Sequence, residues 1–288
     1  MYSKSVTLRC PAKLNLFLNI NKRYDNGYHE LQTLFQMIDV EDEITFKFNS
    51  SKTLNFKSNL PELSNSDNLI IKSIQLIERT FNLEPIGLDI YLKKNIPIGG
   101  GLGGGSSNAA TTLLFLDTFL NLRLSQDQLI DLGRNLGADV PFFILGENAI
   151  GEGIGEKLTP VKLPNPFYIV IKPNQSVSTA QIFNHTKLKR DTPKKNITQL
   201  MSSNFKNDCE PVVRSLYNNV DKSLTWLLQY TRSNLSGTGA CVFGEAFSEQ
   251  HANEIKDNLP EEWIGFVTKG LSSSPTKDKL NQLKLTFK

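Results

Sequence analysis

Alternating apolar and polar side chains predict the strands of this chain. Positions 14–20 place Leu14, Leu16, Leu18 and Ile20 on one side of the segment. This two-residue period predicts a half-buried β-strand. The segment Leu-Asp-Ile-Tyr-Leu at 88–92 has the same period and predicts a second strand. Asp25-Asn26-Gly27 predicts a turn, after which Tyr28 begins another strand.

Apolar residues at intervals of three and four predict the helices. One helix is expected from Asp67 to Phe81. Another follows the glycine-rich segment that ends at Gly105. A third begins at the capping box formed by Ser125 and Gln128 and ends at Gly137.

The composition shifts to glycine, proline and short polar segments over 149–166, which predicts a domain boundary. The second half then predicts strands at 168–171, 240–243 and 264–268, with a helix at 223–230 and another helix before the last strand. Strands and helices mixed in both halves predict an α+β fold, with domains at 1–155 and 156–288. The active site is expected in the cleft between them.

Bulk composition narrows the class of protein. Hydrophobic residues make up 39% and charged residues 21% of the 288 residues, as in an ordinary globular protein. The net charge of +3 is too small to indicate a nucleic-acid partner. The apolar stretches are too short for a membrane span, and no signal peptide is recognisable. Three widely spaced cysteines indicate a reducing compartment, so we expect a cytoplasmic protein.

The most informative segment is a glycine-rich loop between the strand at 88–92 and the next helix. Glycine tolerates positive φ and carries no side chain, so the loop can curl and present backbone N–H groups. With the helix N-terminus behind it, such a loop binds an anion, most simply a nucleotide phosphate. The loop consists of Pro97, Ile98, Gly99, Gly100, Gly101, Leu102, Gly103, Gly104, Gly105, Ser106 and Ser107.

Two other phosphate-loop motifs fit less well. A Walker A loop requires a lysine where Ser106 stands. The glycines match the dinucleotide pattern G-x-G-x-x-G, but the acidic residue about 20 positions on should end a second strand. The nearest candidate, Asp117, lies inside the predicted helix. A flexible linker would not be expected between a strand and a helix.

Two charged residues could carry the chemistry. Lys13 and Asn15 lie two apart on the first strand and therefore project from one face. Lys13 either reaches solvent or contacts an anion. Asp139 lies in Gly-Ala-Asp-Val-Pro between two helical segments, where it can cap a helix, accept a proton as a general base, or do both.

Two further segments are less specific. A second glycine loop contains Gly237, Thr238 and Gly239, and either lines the phosphate site or forms a tight turn. The basic segment 187–196 is either a solvated loop or an attractor for an anionic substrate, and its role is left open.

Five motifs in one order resemble the GHMP kinase superfamily of small-molecule kinases over essentially the whole chain. They read PAKLNLFL at 11–18, GYHELQT at 27–33, PIGGGLGGGSSNAA at 97–110, GADVP at 137–141 and SGTGAC at 236–241. The first and third motifs together are similar to one branch, because most other members open with Pro-Gly and carry Gly-Glu-His. That branch acts on a methylerythritol carried on cytidine diphosphate, in the non-mevalonate route to isoprenoid precursors.

The resemblance implies a ribosomal-S5-like N-terminal domain, a ferredoxin-like C-terminal domain and ATP-dependent phosphorylation of a 2-hydroxyl. It assigns Asp139 as the base, Lys13 as the catalytic lysine and 97–107 as the ATP-binding segment. It implies that Mg²⁺ is held mainly through ATP, with Ser107 as a possible contact. The substrate-binding positions that it implies are Asn15, Tyr28, His29, Thr179 and Phe183.

Other functions remain open at this point. The chain could be a GHMP kinase for a different small alcohol, or a nucleotide-binding protein of this fold without turnover. We expect a small-molecule substrate, no nucleic acid, no membrane, and a monomer or weak homodimer.

Overall fold

A computed structural model describes residues 5–286, which form hydrogen-bonded strands covered by helices. The strands are β1 (Val6–Arg23), β2 (His29–Phe48), β3 (Leu54–Ser58), β4 (Leu88–Lys93), β5 (Ala149–Gly153), β6 (Lys157–Pro160), β7 (Phe167–Lys172), β8 (Ser233–Leu235), β9 (Val242–Ala246) and β10 (Ile264–Leu271). The helices are α1 (Leu69–Thr80), α2 (Gly104–Leu120), α3 (Gln126–Arg134), α4 (Val140–Leu145), α5 (Thr179–Asn184), α6 (Ile197–Met201), α7 (Glu210–Leu216), α8 (Asn218–Leu227), α9 (Glu249–Asp257) and α10 (Pro275–Thr286). The α+β prediction is confirmed.

Strand β2 is the centre of the sheet. It pairs with β1 along most of its length, with β4 through residues 43–48 and with β5 through residues 31–35, always antiparallel. Strand β10 from the second half also pairs with β2, at Met37 and Ile38. The main order of strands is β3-β4-β2-β10-β7-β9-β8. Strands from both halves of the chain are therefore hydrogen-bonded in one sheet.

Strand β1 runs through all three apolar clusters of the core. Leu8 packs with the N-terminal helices, Leu14 with the middle of the sheet, and Ile20 with the C-terminal core. Every residue from Cys10 to Ile20 is buried, so the prediction of a half-buried strand was wrong. The reason is tertiary: α2 and α10 pack on β1, and its end lies in the core of the second half. Lys13 and Asn15 are consequently buried polar residues.

Most predicted elements are present, with shifted ends. The capping box at Ser125 and Gln128 is confirmed, but the helix ends at Arg134 and not at Gly137, because tight turns bond Asn135 and Leu136 back to the last helical carbonyls. The strand expected at 240–243 spans 242–246, since the residues before it pair with a different segment. The helix expected at 223–230 spans 218–227.

The C-terminal helix α10 packs on the N-terminal half. Thr276 Oγ1 donates a hydrogen bond to the carbonyl of Arg9 (2.5 Å), and Leu280 is buried among the N-terminal core residues. The last helix of the chain therefore belongs spatially to the first half. The domain boundary between residues 155 and 156 stays a prediction. Within residues 5–286, no helix has the length and apolar character needed to cross a bilayer.

Candidate active site

The glycine-rich loop joins β4 to α2 through a backbone that glycine suits best. Gly99, Gly101 and Gly103 have φ of 66°, 72° and 72°. Side chains are strained in this left-handed region, so glycine at these positions has a conformational cause. Successive backbone N–H groups in alternating conformations form a concavity that binds anions. The first-turn N–H groups of α2 add further donors that lack intrahelical partners.

The loop lines a cavity of about 330 Å³, the size of a small-molecule site. Residues 97–106 form one wall, whereas Ser107 is not among the lining residues. The other lining residues are Leu63, Asn68, Leu69, Leu92, Lys94 and Asn108. This second wall was not predictable from local patterns, because its residues come from the short 3-10 helix at 61–63, the start of α1, the end of β4 and α2. Asn68 is recognisable from the sequence as the residue type that caps a helix, but nothing in the sequence indicates that it lines a cavity.

A buried ion pair supports the start of the loop. Lys94 Nζ lies 2.6 Å from Asp42 Oδ2 and donates to the carbonyl of Ile96 (2.9 Å). The same carboxylate accepts hydrogen bonds from the backbone N–H of Asn95 and Ile96 (both 2.8 Å) and from Asn108 Nδ2 (3.0 Å). A buried charge pair is tolerated only when its remaining oxygens are hydrogen-bonded, as they are here. Asp42 therefore ties the loop to β2 and α2.

The second glycine loop packs directly on the first. The backbone N–H groups of Ala240 and Cys241 donate to the carbonyls of Gly99 (3.2 Å) and Gly100 (3.1 Å). Ser236 Oγ donates to the carbonyl of Gly101 (2.9 Å). This contact explains why Ala240 and Cys241 do not belong to β9. Residues 236–239 form a tight turn, closed by a hydrogen bond from the Gly239 N–H to the carbonyl of Ser236 (2.9 Å), and this turn packs on the first loop without lining the cavity described above.

The side chain of Asn207 fixes the second loop, a role that the sequence did not predict. Asn207 Nδ2 donates to the carbonyls of Leu235 (2.9 Å) and Gly237 (2.7 Å). Nothing in the sequence around Asn207 indicated this role, because its partners are 28 and 30 residues away. Thr238, between Gly237 and Gly239, is buried and its hydroxyl lies 2.8 Å from that of Thr179.

Lys13 connects the strand, the loop and the candidate base. Its Nζ donates to Asn15 Oδ1 (2.5 Å) and to the carbonyl of Gly101 (2.9 Å), and lies 3.4 Å from Asp139 Oδ2. The residue is only 3% exposed. Lys13 therefore does not reach solvent, and the structure brings Lys13, Asn15, Asp139 and Gly101 together.

Asp139 precedes helix α4 but does not cap it through its side chain. Its side chain is 31% exposed and its ion-pair partner is Lys13. The carboxylate is thus held by a cation and still open to a substrate. Burial raises the pKa of the Cys241 thiol, whose sulfur lies beside Gly100, to about 12.

A second group of side chains surrounds the ends of β1 and β2. The rings of His29 and Phe183 lie against each other, with centroids 5.1 Å apart. His29 is buried, whereas Tyr28 is 60% exposed and lies outside this ring contact. Thr179 and Phe183 are four residues apart on α5 and thus share a face of that helix.

The basic segment 187–196 is fastened to these strands. Arg190 Nε donates to His29 Nε2 (3.0 Å), and the backbone of Lys195 exchanges hydrogen bonds with the side chain of Gln32 (2.7 and 3.0 Å). Lys194 pairs with Glu30 (3.1 Å). The segment is a largely exposed loop, as a solvated loop would be, but Arg190, Lys194 and Lys195 also have partners on β2.

The environment of His29 favours its neutral form. Its pKa is lowered from the ordinary value of 6.5, first by burial and then by the positive charges of Arg190 and Arg23. A histidine beside two arginines is therefore an uncharged imidazole near neutral pH.

Comparison with known proteins found matching family models, curated relatives and a solved structure. Two family models match, "GHMP kinases N terminal domain" over residues 68–147 and "GHMP kinases C terminal" over residues 189–265. A relative from Aliivibrio salmonicida named 4-diphosphocytidyl-2-C-methyl-D-erythritol kinase is 48% identical over 95% of both chains. One of the same name from Marinobacter nauticus is 47% identical over 97% of this chain and 99% of its own. A crystal structure of 4-(cytidine 5'-diphospho)-2C-methyl-D-erythritol kinase superposes with a TM-score of 0.82 at 30% identity, over 92% of this chain and all of that one.

The loop-to-loop contact predicts a specific sensitivity at Gly101. A Cβ at Gly101 would overlap the carbonyl oxygen of Ser236, whereas one at Gly99 would meet no atom within 4 Å. Both glycines have similar positive φ, so Gly99→Ala is the matched control for backbone strain. We expect Gly101→Ala to lower the free energy of unfolding by about 1–3 kcal/mol more than Gly99→Ala. Urea denaturation measures this, and equal losses would contradict the contact.

Proposed function

The chain belongs to the GHMP kinases, and we infer that it is a small-molecule kinase that phosphorylates the 2-hydroxyl of 4-diphosphocytidyl-2-C-methyl-D-erythritol with ATP as donor. This reaction is a step of non-mevalonate isoprenoid precursor biosynthesis. The relatives' identity over nearly the whole chain favours this acceptor over the alcohols used by other GHMP kinases.

One observation carries the chemical part of the proposal. Lys13 Nζ lies 2.9 Å from the carbonyl of Gly101 and 3.4 Å from Asp139 Oδ2. A cation is thus shared between the phosphate loop and the only acidic group that we assign to the reaction. Phosphoryl transfer requires a phosphate cradle, positive charge and a group that orients the acceptor hydroxyl, and this arrangement supplies all three.

In the proposed reaction, Asp139 accepts the proton of the substrate hydroxyl. The hydroxyl oxygen forms a bond to the γ-phosphorus of ATP as the bond from that phosphorus to the β–γ bridging oxygen breaks. ADP leaves with the electron pair of that bond. Lys13 orients the carboxylate and stabilises the charge on the transferring phosphoryl group. The buried setting of Lys13 strengthens this electrostatic effect, because little water screens it.

ATP would occupy the cavity behind the glycine loop. The residues proposed to bind it are Pro97, Ile98, Gly99, Gly100, Gly101, Leu102, Gly103, Gly104, Gly105 and Ser106, whereas Ser107, the next residue along α2, is buried outside the lining of this cavity. The backbone N–H groups of the loop and of the first turn of α2 suit the phosphates. Leu63, Leu69 and Leu92 supply an apolar wall that suits a purine base. Gly237, Thr238 and Gly239 support the loop from the other half of the chain.

Magnesium fits this site as a partner of the ATP phosphates. The residues at 5–286 contain no group of three His, Cys, Asp or Glu side chains that could hold a metal ion by themselves. Ser107 Oγ is buried without a hydrogen-bond partner among the described residues, so it is one oxygen that could meet the ion. Bound there, Mg²⁺ would neutralise phosphate charge, in keeping with its usual reliance on phosphates and waters.

The cytidine end of the substrate would lie at the group around His29. We propose that Phe183 and Tyr28 stack on the cytosine, that His29 hydrogen-bonds its edge, and that Asn15 and Thr179 contact the rest of the substrate. A flat base suits aromatic faces, and remote binding of this kind supplies specificity that a hydroxyl cannot. The ring of Phe183 is only partly buried, which leaves a face for the base.

We propose that the protein acts as a monomer or weak homodimer in a reducing compartment. The cysteines among the described residues are buried free thiols, which supports a reducing compartment such as the cytoplasm.

The function is tested by offering the protein Mg-ATP with 4-diphosphocytidyl-2-C-methyl-D-erythritol, mevalonate or homoserine in separate reactions. We expect a phosphorylated product from the first alone, identified by mass and by ³¹P NMR, and none when Mg²⁺ is omitted. Phosphorylation of mevalonate or homoserine in preference to the cytidine compound would contradict the assignment.

The role of Asp139 predicts a large loss of turnover in Asp139→Asn. The amide cannot accept the hydroxyl proton, so kcat should fall by about 10²- to 10⁴-fold. The melting temperature should change little, because the carboxylate makes no helix-cap bond and Lys13 keeps its hydrogen bonds to Asn15 and to the carbonyl of Gly101. Asp131→Asn is the control, since it removes the same charge from an exposed pair with Arg134 on the neighbouring helix. Near-normal turnover of Asp139→Asn would exclude the base.

The role of Phe183 predicts a split between the two substrates. Stacking of a base on an aromatic ring contributes about 1–3 kcal/mol, so Phe183→Ala should raise KM for the cytidine substrate by about 5- to 150-fold. KM for ATP should stay unchanged. Phe205→Ala is the control, because Phe205 is also partly buried but packs on Phe17. A folded Phe183→Ala enzyme with normal KM for the cytidine substrate would contradict the base site.

A further inference from the structure

The guanidinium of Arg190 links the walls of the proposed base site. Its Nε donates to His29 Nε2 (3.0 Å) on β2. One Nη donates to the carbonyls of Phe183 (2.9 Å) and His185 (2.8 Å) at the end of α5, and the other to the carbonyl of Leu188 (3.1 Å). No ion pair of Arg190 with a carboxylate is present among residues 5–286. The N–H groups of Arg190 therefore donate to neutral acceptors, the His29 ring nitrogen and three backbone carbonyls, and not to a carboxylate.

The contact with His29 fixes where the imidazole carries its proton. A guanidinium only donates hydrogen bonds, so His29 Nε2 must present its lone pair to Arg190. A neutral imidazole that accepts at Nε2 carries its hydrogen on Nδ1. The imidazolium form would set an N–H and a positive charge against the guanidinium. Arg190 therefore selects both the neutral state and one tautomer.

The other charged groups near His29 act in the same direction or are already paired. Arg23 lies opposite His29 in the β1–β2 register, and its guanidinium reaches Asn184 Oδ1 at the end of α5 (3.3 Å). Glu30, next along β2, is paired with Lys194 (3.1 Å) and Lys22 (3.6 Å). On the α5 side, the His185 imidazole accepts a hydrogen bond from the backbone N–H of Lys187 (3.2 Å).

The remaining nitrogen of His29 is the one available to a ligand. No hydrogen bond of Nδ1 is present among the described residues, and the ring lies against Phe183. An N–H at this place recognises an acceptor on the edge of a stacked base. Cytosine offers a lone pair at N3, whereas uracil carries an N–H there, which an N–H donor repels.

We propose that Arg190 is the positioning residue of the base site: it holds His29 as a neutral imidazole with its proton on Nδ1, and thereby sets the preference for cytosine over uracil. The proposal rests on the function proposed above and adds to it a role for the basic segment 187–196. Arg190 acts through His29 and Phe183, and it does not itself touch the base.

The first test uses the unchanged protein. We expect ¹⁵N NMR to show the neutral form of His29 at pH 7 with its proton on Nδ1, the signal being assigned against His185→Gln and His251→Gln variants. The chain has three histidines, so the assignment is complete. A proton on Nε2, or a His29 pKa at or above the ordinary 6.5, would overturn the proposal without requiring any Arg190 variant to fold.

The second test is Arg190→Met, with Lys189→Met as the matched control. Lys189 is exposed and belongs to the same segment, and it makes no ion pair or side-chain hydrogen bond among the described residues. In Arg190→Met the His29 titration should move up towards the ordinary pKa of 6.5, because one of the charges that lower it is gone. In Lys189→Met it should stay where it is in the unchanged protein.

The kinetic constants should also differ between Arg190→Met and Lys189→Met. We expect Arg190→Met to raise KM for the cytidine substrate by about 3- to 10-fold, the value of one hydrogen bond, with kcat and KM for ATP unchanged. The preference in kcat/KM for that substrate over its uridine counterpart should fall by about 5- to 10-fold. An unchanged preference in a folded Arg190→Met enzyme would overturn the proposal.

The proposal and the function fail in different ways. If the unchanged protein phosphorylates the cytidine substrate but accepts the uridine counterpart equally well, the role of Arg190 is wrong and the function stands. If it phosphorylates neither while His29 has the expected tautomer, the assigned acceptor is wrong.

Discussion

The close approach of two backbones is the constraint on which the site depends. The carbonyls of Gly99, Gly100 and Gly101 accept hydrogen bonds from the second glycine loop, and that of Gly101 also accepts from Lys13. A side chain at Gly101 would occupy the space of the opposing backbone. Glycine is therefore required at this position for two reasons: its positive φ and the close contact with the opposing backbone. The contact draws together the strand that carries Lys13, the helix that follows the loop and the second half of the chain.

Polar groups buried around this contact form a connected set. Asp42 holds the beginning of the loop, Asn207 holds the second loop, and Lys13 holds the carbonyl between them. Each has its hydrogen bonds satisfied by backbone or side-chain partners, which makes burial of these groups tolerable. Asp139 pairs with Lys13, and its side chain is 31% exposed. Structural and chemical roles thus share residues, with Lys13 belonging to both.

In the proposed complex, the two substrates would meet different kinds of surface. The phosphates of ATP would meet backbone N–H groups and Lys13, which respond to charge and hardly to shape. The cytidine end of the acceptor would meet aromatic rings and His29, whose imidazole contacts Arg190, so this end would respond to the pattern of donors and acceptors. Placing discrimination far from the reacting atoms lets a common phosphoryl-transfer site serve a particular alcohol.

The sequence by itself determined the local features of this protein and the resemblance of their order to a kinase family. The glycine loop, the extended conformation of β1 and the capping box at Ser125 depend on neighbours in the chain, and each was predictable from them. Only the tertiary structure decided that β1 is buried on both faces, that Asp139 pairs with Lys13 and does not cap α4, and that Arg190 reaches His29 across 161 residues. Local conformation follows from sterics within a few residues. The burial of a residue and its contact partners depend on which distant segments the sheet brings together, and the local periodicity of the sequence does not contain that information.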